Sequence, residues 1–200
     1  VSEAAARKAC SAAFVPEERF DHCVYDVIAV GAGFAGISLS YHLREAGYSV
    51  KVFDRADEIG GTWAWNRYPG AATDSESYYY CLTFSKEVLQ EWSWTKRYSG
   101  WEETQAYLKF VLDKFSLRPM FQLNTEVESA SFDDATGLWN VLTGDGQTHT
   151  AKYFISAMGM ISQPVIPTFP GADTFTGPIF HSSRWPEGLD VAGKRVGIIG

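Results

Sequence analysis

A glycine triplet set between a hydrophobic run and a helical repeat constrains this chain more than any other feature. Val24-Tyr25-Asp26-Val27-Ile28-Ala29-Val30 is rich in β-branched residues and almost wholly apolar, the pattern of a strand buried on both faces. Gly31-Ala32-Gly33-Phe34-Ala35-Gly36 follows without a gap. Ile37, Leu39, Ser40 and Leu43 then recur at helical spacing, and Gly47 ends that helix. Ser49–Phe53 reads as a second strand that closes on Asp54. The order is a βαβ unit. Gly31 permits the tight turn, Gly33 lets backbone approach a pyrophosphate, and Gly36 lets helix pack closely on strand. An anion is favoured at the helix N-terminus by free N–H groups and the dipole. Asp54 stands where an acid accepts hydrogen bonds from a ribose. These residues predict a dinucleotide site without separating FAD from NAD(P). Arg55 suits a 2′-phosphate or is simply an exposed cation. The plainer alternative is a glycine-rich turn in an α/β domain that holds no cofactor.

Composition narrows the partners. Hydrophobic residues make up 46% and charged residues 20%, a globular balance that argues against disorder. The formal net charge of −7 repels polyanions, so nucleic acid is not expected as a partner. No apolar stretch is long enough to span a bilayer, so no membrane partner is expected either. The first ten residues lack a secretory pattern. Cys10, Cys23 and Cys81 are widely spaced and match no metal pattern, so reduced thiols in the cytoplasm and no metal are expected. The sequence carries no signal for oligomeric state.

Three segments are expected: an N-terminal extension over 1–22 with an Ala-rich helix at 3–13, a nucleotide-binding domain over 23–159, and a linker with the truncated start of a second such domain over 160–200. Helical signals fall at Lys86–Glu91 and Glu102–Phe115, the latter placing Ala106, Phe110, Val111 and Lys114-Phe115 on one side. Strands are expected at Thr125–Phe132 and Leu138–Thr143, joined by the turn Asp133–Gly137, and at Lys152–Ala157. Pro164, Pro167, Pro170 and Gly171 give linker composition. Lys194–Gly200 reads as one more buried strand.

Two further motifs lie outside the βαβ unit. Gly60-Gly61-Thr62-Trp63-Ala64-Trp65 leads to Tyr68-Pro69-Gly70-Ala71-Ala72-Thr73-Asp74. Paired glycines let backbone come close to a ligand. Trp63, Trp65 and Tyr68 offer flat apolar faces. A carboxylate such as Asp74 is costly among them unless paired. An aromatic core loop with a surface acid is the bland reading. The second motif is Phe175-x-Gly177-x-x-x-His181-x-x-x-Trp185-Pro186, placed between the Pro-rich linker and the last hydrophobic run.

Together these motifs resemble the class B flavin-dependent Baeyer–Villiger monooxygenases, over residues from about 24 to 200. The Trp-Pro ending favours this branch over related N- and S-oxygenating enzymes. Asp54 stands where relatives often carry Glu. The resemblance implies an α/β fold: a three-layer, Rossmann-like FAD-binding domain with an inserted β-hairpin, then a linker and the first strand of a second, Rossmann-like NADPH domain. It implies FAD contacts at Gly31, Ala32, Gly33, Phe34, Ala35, Gly36, Asp54, Arg55, Gly61, Thr62, Trp63, Ala64, Trp65, Ala72, Thr73, Asp74, Tyr80 and Val127. It makes Asp74 the catalytic candidate, beside the flavin and an active-site Arg. His181 and Trp185 become interdomain residues.

The implied activity uses NADPH, FAD and O₂ to insert one oxygen atom beside a ketone carbonyl through a C4a-peroxyflavin, giving an ester or lactone. The resemblance also implies that the catalytic Arg and most of the NADPH site lie beyond residue 200, so this N-terminal fragment alone is expected to be inactive. Phe84–Tyr98 resembles members that accept arylalkyl or large cyclic ketones. The alternatives are an N-oxygenating class B flavoenzyme and a noncatalytic FAD-binding module.

Overall fold

The computed structural model describes residues 24–200. The expected helix at 3–13 lies outside the described residues. Among the described residues six strands form one mixed sheet in the order β3-β2-β1-β6-β5-β4. Strand β1 (Val24–Val30) runs parallel to β2 (Val50–Phe53) on one side and to β6 (Thr148–Ser156) on the other. The short β3 (Phe121–Gln122) extends the parallel half beyond β2. Strands β4 (Val127–Asp133) and β5 (Leu138–Thr143) form the expected antiparallel hairpin, with Phe132 opposite Trp139.

The β6 strand joins the two halves. Its first residues pair antiparallel with β5, and Thr150–Ser156 pair parallel with β1. It begins four residues before the expected strand, because a turn holds the β5–β6 connection. The Gly146 amide donates to the Thr143 carbonyl at 2.8 Å, and Thr143 Oγ1 donates to Asp145 at 2.6 Å.

Helix α1 (Phe34–Glu45) covers one face of the sheet. Val27, Ala29, Val50 and Val52 pack there with Leu39 and Leu43. Alternation along β1 sends Ile28 to the opposite face, where it clusters with Phe53, Val141 and Ala151. The largest core gathers Ala32, Ile37, Ile59, Trp63 and Leu82 around α4 (Trp101–Lys114). That core also takes in the one-turn α2 (Thr62–Trp65) and α3 (Lys86–Glu91), the latter at its expected position.

Helix α4 buries Thr104, Gln105, Tyr107, Leu108, Val111 and Leu112; of the residues expected on one side, Val111 is among these, and Phe110 and Phe115 pack against the same core. Ala106 is exposed. Tyr107 and Leu108 carry more apolar area to remove from water, so they set the rotation of the helix.

The chain after Ser156 contains no α-helix or strand among the described residues, only single 3-10 turns at Ala172–Thr174 and Ser182–Arg184. Lys194–Gly200, expected as a strand, is irregular. Val196, Ile198 and Ile199 are exposed, and no described strand lies alongside to satisfy its backbone. No helix among the described residues is long and apolar enough to cross a membrane.

A polar hub pins the loop after β2 to α4. Glu58 Oε2 accepts from Lys109 Nζ at 2.9 Å, Gln105 Nε2 at 2.9 Å and Arg67 Nη2 at 3.3 Å. Gln105 also donates to the Ile59 carbonyl at 2.9 Å. The Lys109 ammonium holds the Glu58 carboxyl below its ordinary value of 4.5, and it outweighs the opposing effect of burial. A carboxyl whose pKa falls on folding stabilises the fold above its unfolded pKa. That contribution is lost as the pH falls through the lower, folded value. Glu58→Gln is therefore expected to lower the unfolding temperature at neutral pH, with the deficit shrinking as the pH falls below the ordinary carboxyl value of 4.5. Thermal unfolding followed by circular dichroism across an acid-to-neutral pH series checks this.

A second test concerns Tyr107, whose buried hydroxyl accepts from the Leu82 amide at 2.8 Å. Tyr107→Phe strands that amide and is expected to cost about 1–3 kcal/mol, read from the urea midpoint.

Candidate functional site

The site starts at the C-terminal end of β1, where the chain turns through Gly31–Gly33 into α1. The Ile37 amide donates to the Gly33 carbonyl at 3.0 Å, so the helical ladder begins there. The amides before it have no partner within the helix. Gly33 is the N-cap, no side chain caps the helix, and its first turn holds no acid. Positive dipole and donors are thus left for an external anion. A Cβ on Gly36 would collide with the Gly31 carbonyl oxygen, so the helix meets the turn only because glycine stands there.

Gly33 has a second contact that the motif does not disclose. A Cβ on Gly61 would lie 2.8 Å from the Gly33 Cα, and one on Gly33 would lie 3.4 Å from the Gly61 Cα. Gly61 also sits at φ 55°, a conformation that side-chain-bearing residues rarely adopt. The neighbouring Gly60 amide donates to the Ala32 carbonyl at 3.0 Å. The paired glycines therefore spend their smallness on the first glycine turn, and the two loops form one cradle.

Asp54 ties a third segment to it. The residue is 9% exposed, and both oxygens accept from backbone: Oδ2 from Ala32 N at 2.6 Å, Oδ1 from Ala56 N at 2.8 Å. An ionised carboxylate has about four acceptor positions, so two remain for a ribose hydroxyl. Asp54 orders the turn through these two bonds. The Thr125 amide donates to the Asp54 carbonyl at 2.9 Å, and so brings half-buried Val127 to the same end of the sheet.

The aromatic residues divide. Trp63 is only 7% exposed, and its indole N–H donates to Tyr80 Oη at 3.2 Å. Tyr80 meets Phe34 edge-on at 4.9 Å. Phe34, Trp63 and Tyr80 thus form one cluster, in which Trp63 serves the core and does not offer a free flat face. Ala64 is likewise buried, and Thr62 is half-buried. Trp65 stands apart from this cluster. The Arg184 guanidinium lies 4.3 Å and that of Arg55 5.4 Å from its ring centroid. Arg55 also donates to the Ser162 carbonyl at 2.8 Å.

The segment with the acid is pinned to the start of α4. Ala72 bridges Gly100, and the Thr73 amide donates to the Ser99 carbonyl at 2.9 Å. Thr73 is buried, and its hydroxyl has no hydrogen-bond partner among the described residues. Asp74 beside it is exposed and makes no hydrogen bond or ion pair with them. A buried hydroxyl without a partner next to a free carboxylate is costly unless a ligand or another segment completes it. With the uncapped α1, this fits a dinucleotide running from the glycine turn towards residues 72–74.

His181 Nδ1 accepts from the Ser183 amide at 3.1 Å and so caps its own turn. Trp185 packs edge-on against Phe180 at 5.0 Å. Neither touches the cradle. Glu58, Gln105, Lys109 and Arg184 carry structural roles that the motifs did not single out. Their partners lie far away in sequence, so no local spacing marks them.

Residues 25–200 match the family described as flavin-binding monooxygenase-like. A Baeyer–Villiger monooxygenase of Pseudooceanicola batsensis is 45% identical over 177 residues, 88% of this chain and 32% of that protein. A phenazine N-monooxygenase of Lysobacter antibioticus is 44% identical over 181 residues, 90% of this chain and 34% of that protein. The solved structure of cyclohexanone monooxygenase from Rhodococcus sp. Phi1 bound to NADP+ aligns with a TM-score of 0.84 and 46% identity, covering 88% of this chain and 34% of that one. The chain spans about a third of the length of the curated relatives it matches. With the strand, turn and helix in register and the match running through residues 25–200, the chain belongs to the flavin-binding monooxygenase-like family.

Proposed function

We propose that this chain is the FAD-binding part of a Baeyer–Villiger monooxygenase that uses NADPH and O₂ to convert a ketone into an ester or lactone. The observation that carries the reading is the joint cradle, in which an uncapped helix and the Gly60–Asp74 loop meet through Gly33 and Gly61. The 45% identity to a Baeyer–Villiger monooxygenase supports the choice of reaction. Residues 23–159 form the FAD-binding unit, and 160–200 lead into an NADPH-binding unit.

Bound in this cradle, FAD supplies hydride acceptance from NADPH and activation of O₂, chemistry that no side chain offers. The chain's own residues bind and orient. Amides at Phe34–Gly36 hold the pyrophosphate. Asp54, Arg55 and Val127 serve the adenosine end. Gly61–Trp65, Ala72–Asp74 and Tyr80 flank the flavin end. The Asp74 carboxylate orients a guanidinium contributed from outside the described residues. His181 and Trp185 sit at the joint between the two nucleotide units.

N-oxygenation is the second reading, favoured by one observation, the 44% identity to a phenazine N-monooxygenase. The purified complete protein is expected to be yellow, to bleach with NADPH, and to convert cyclic, aryl or steroid ketones to esters. Product formation only from amines or nitrogen heterocycles would select the second reading. Asp74→Ala is expected to keep bound FAD while ketone turnover falls on the order of ten- to a hundredfold. Unchanged flavin reduction and ketone oxidation would remove Asp74 from the mechanism.

A further inference from the structure

The segment from Gln163 to Arg184 has little to hold it in place. It carries Pro164, Pro167 and Pro170 and contains only two 3-10 turns. Val165, Ile166, Phe175 and Ile179 within it are exposed. At each of its two ends an arginine reaches the same indole.

At the near end, Arg55 donates to the Ser162 carbonyl at 2.8 Å and lies 3.8 Å from Glu126, with its guanidinium 5.4 Å from the Trp65 centroid. At the far end, Arg184 donates to the Ser183 carbonyl within its own turn and places its guanidinium 4.3 Å from the Trp65 centroid. Among the described residues Arg184 is exposed and forms no ion pair, and its stacking on Trp65 links its turn to the 60–74 loop. The fixed residues of the motif do not make this contact. His181 is occupied by Ser183, and Trp185 rests on Phe180.

Trp65 is also well placed to pass on a displacement. It ends the one-turn helix that begins immediately after Gly61, and Trp63 and Ala64 within that turn are buried. Gly61 in turn rests on Gly33. A shift of the 181–186 turn would therefore reach the cradle through four residues of packed backbone. A planar, weakly hydrated guanidinium suits an aromatic face, whereas a lysine keeps the charge and stacks less well.

We infer that Arg184 is a positioning residue: stacked on Trp65, it fixes the segment that leads to the second nucleotide unit against the loop flanking the flavin. The inference rests on the proposed function for its kinetic consequence, and on the contact alone for its structural one.

The test uses the complete protein with Arg184→Gln, Arg184→Lys, Trp65→Leu and the Arg184→Gln/Trp65→Leu double variant. Subtilisin cleavage within 160–171 reads the contact, and stopped-flow flavin reduction by NADPH reads its effect. Arg184→Gln is expected to speed cleavage severalfold and to slow reduction about tenfold, with FAD still bound. Arg184→Lys is expected to fall between Arg184→Gln and the parent protein, and the double variant to cleave no faster than the worse single one. Unchanged cleavage, independent multiplication of the two single effects, or faster cleavage with unchanged reduction would overturn the inference. If the parent protein is not reduced by NADPH, the proposed function fails, and the cleavage results alone decide the contact.

Discussion

Gly33 and Gly61 meet backbone against backbone, at a separation that leaves no room for a methyl group on Gly61. One belongs to the turn that opens α1, the other to the loop that carries Trp63, Trp65 and, further on, Asp74. The positive φ of Gly61 and the amide bond from Gly60 to Ala32 set the angle between the two loops. The remaining supports then act on a joint already defined. Asp54 clamps the turn from below, and Glu58 ties the loop to α4 through Lys109 and Gln105. The uncapped start of α1 and the loop proposed to flank the flavin thereby become parts of one surface.

The local features of this arrangement were legible in the sequence. Val24–Val30, the glycine triplet, helix α1 and Asp54 are encoded within some thirty consecutive residues, so periodicity and turn chemistry suffice to read them. The β4–β5 hairpin was legible for the same reason. The start of β6 was not, because Thr148-His149-Thr150 lacks the apolar signature of a strand, and the Asp145-Gly146 turn before it governs the pairing. The stripe on α4 is legible only in part: Phe110, Val111 and Phe115 meet the core but Ala106 is exposed, because periodicity gives the spacing of a buried face while Tyr107 and Leu108 decide its rotation.

Within the site, residue type predicted membership better than role. Trp63 and Trp65 are two positions apart on a single turn, yet one is a core residue bonded to Tyr80 and the other a platform for two arginines. Asp54 has the composition of a ribose ligand, while its visible bonds serve the glycine turn. The contacts of Trp63 with Tyr80, Ala32 with Asp54 and Trp65 with Arg184 join residues 17, 22 and 119 positions apart, and no short motif can encode them. The hydrophobic run at 194–200 shows the same limit. Its pattern is that of a buried strand, but a strand exists only where a neighbour supplies the other half of the ladder.

The central claim is that the two joined loops form a single bed for a flavin dinucleotide. A crystal structure of the complete protein with FAD tests it most directly. The account expects density for the pyrophosphate against the amides of Phe34, Ala35 and Gly36, with the ring system extending to Thr73, Asp74 and Tyr80. Density for the cofactor elsewhere, or a 60–74 loop parted from the glycine turn and clear of the flavin, would contradict it.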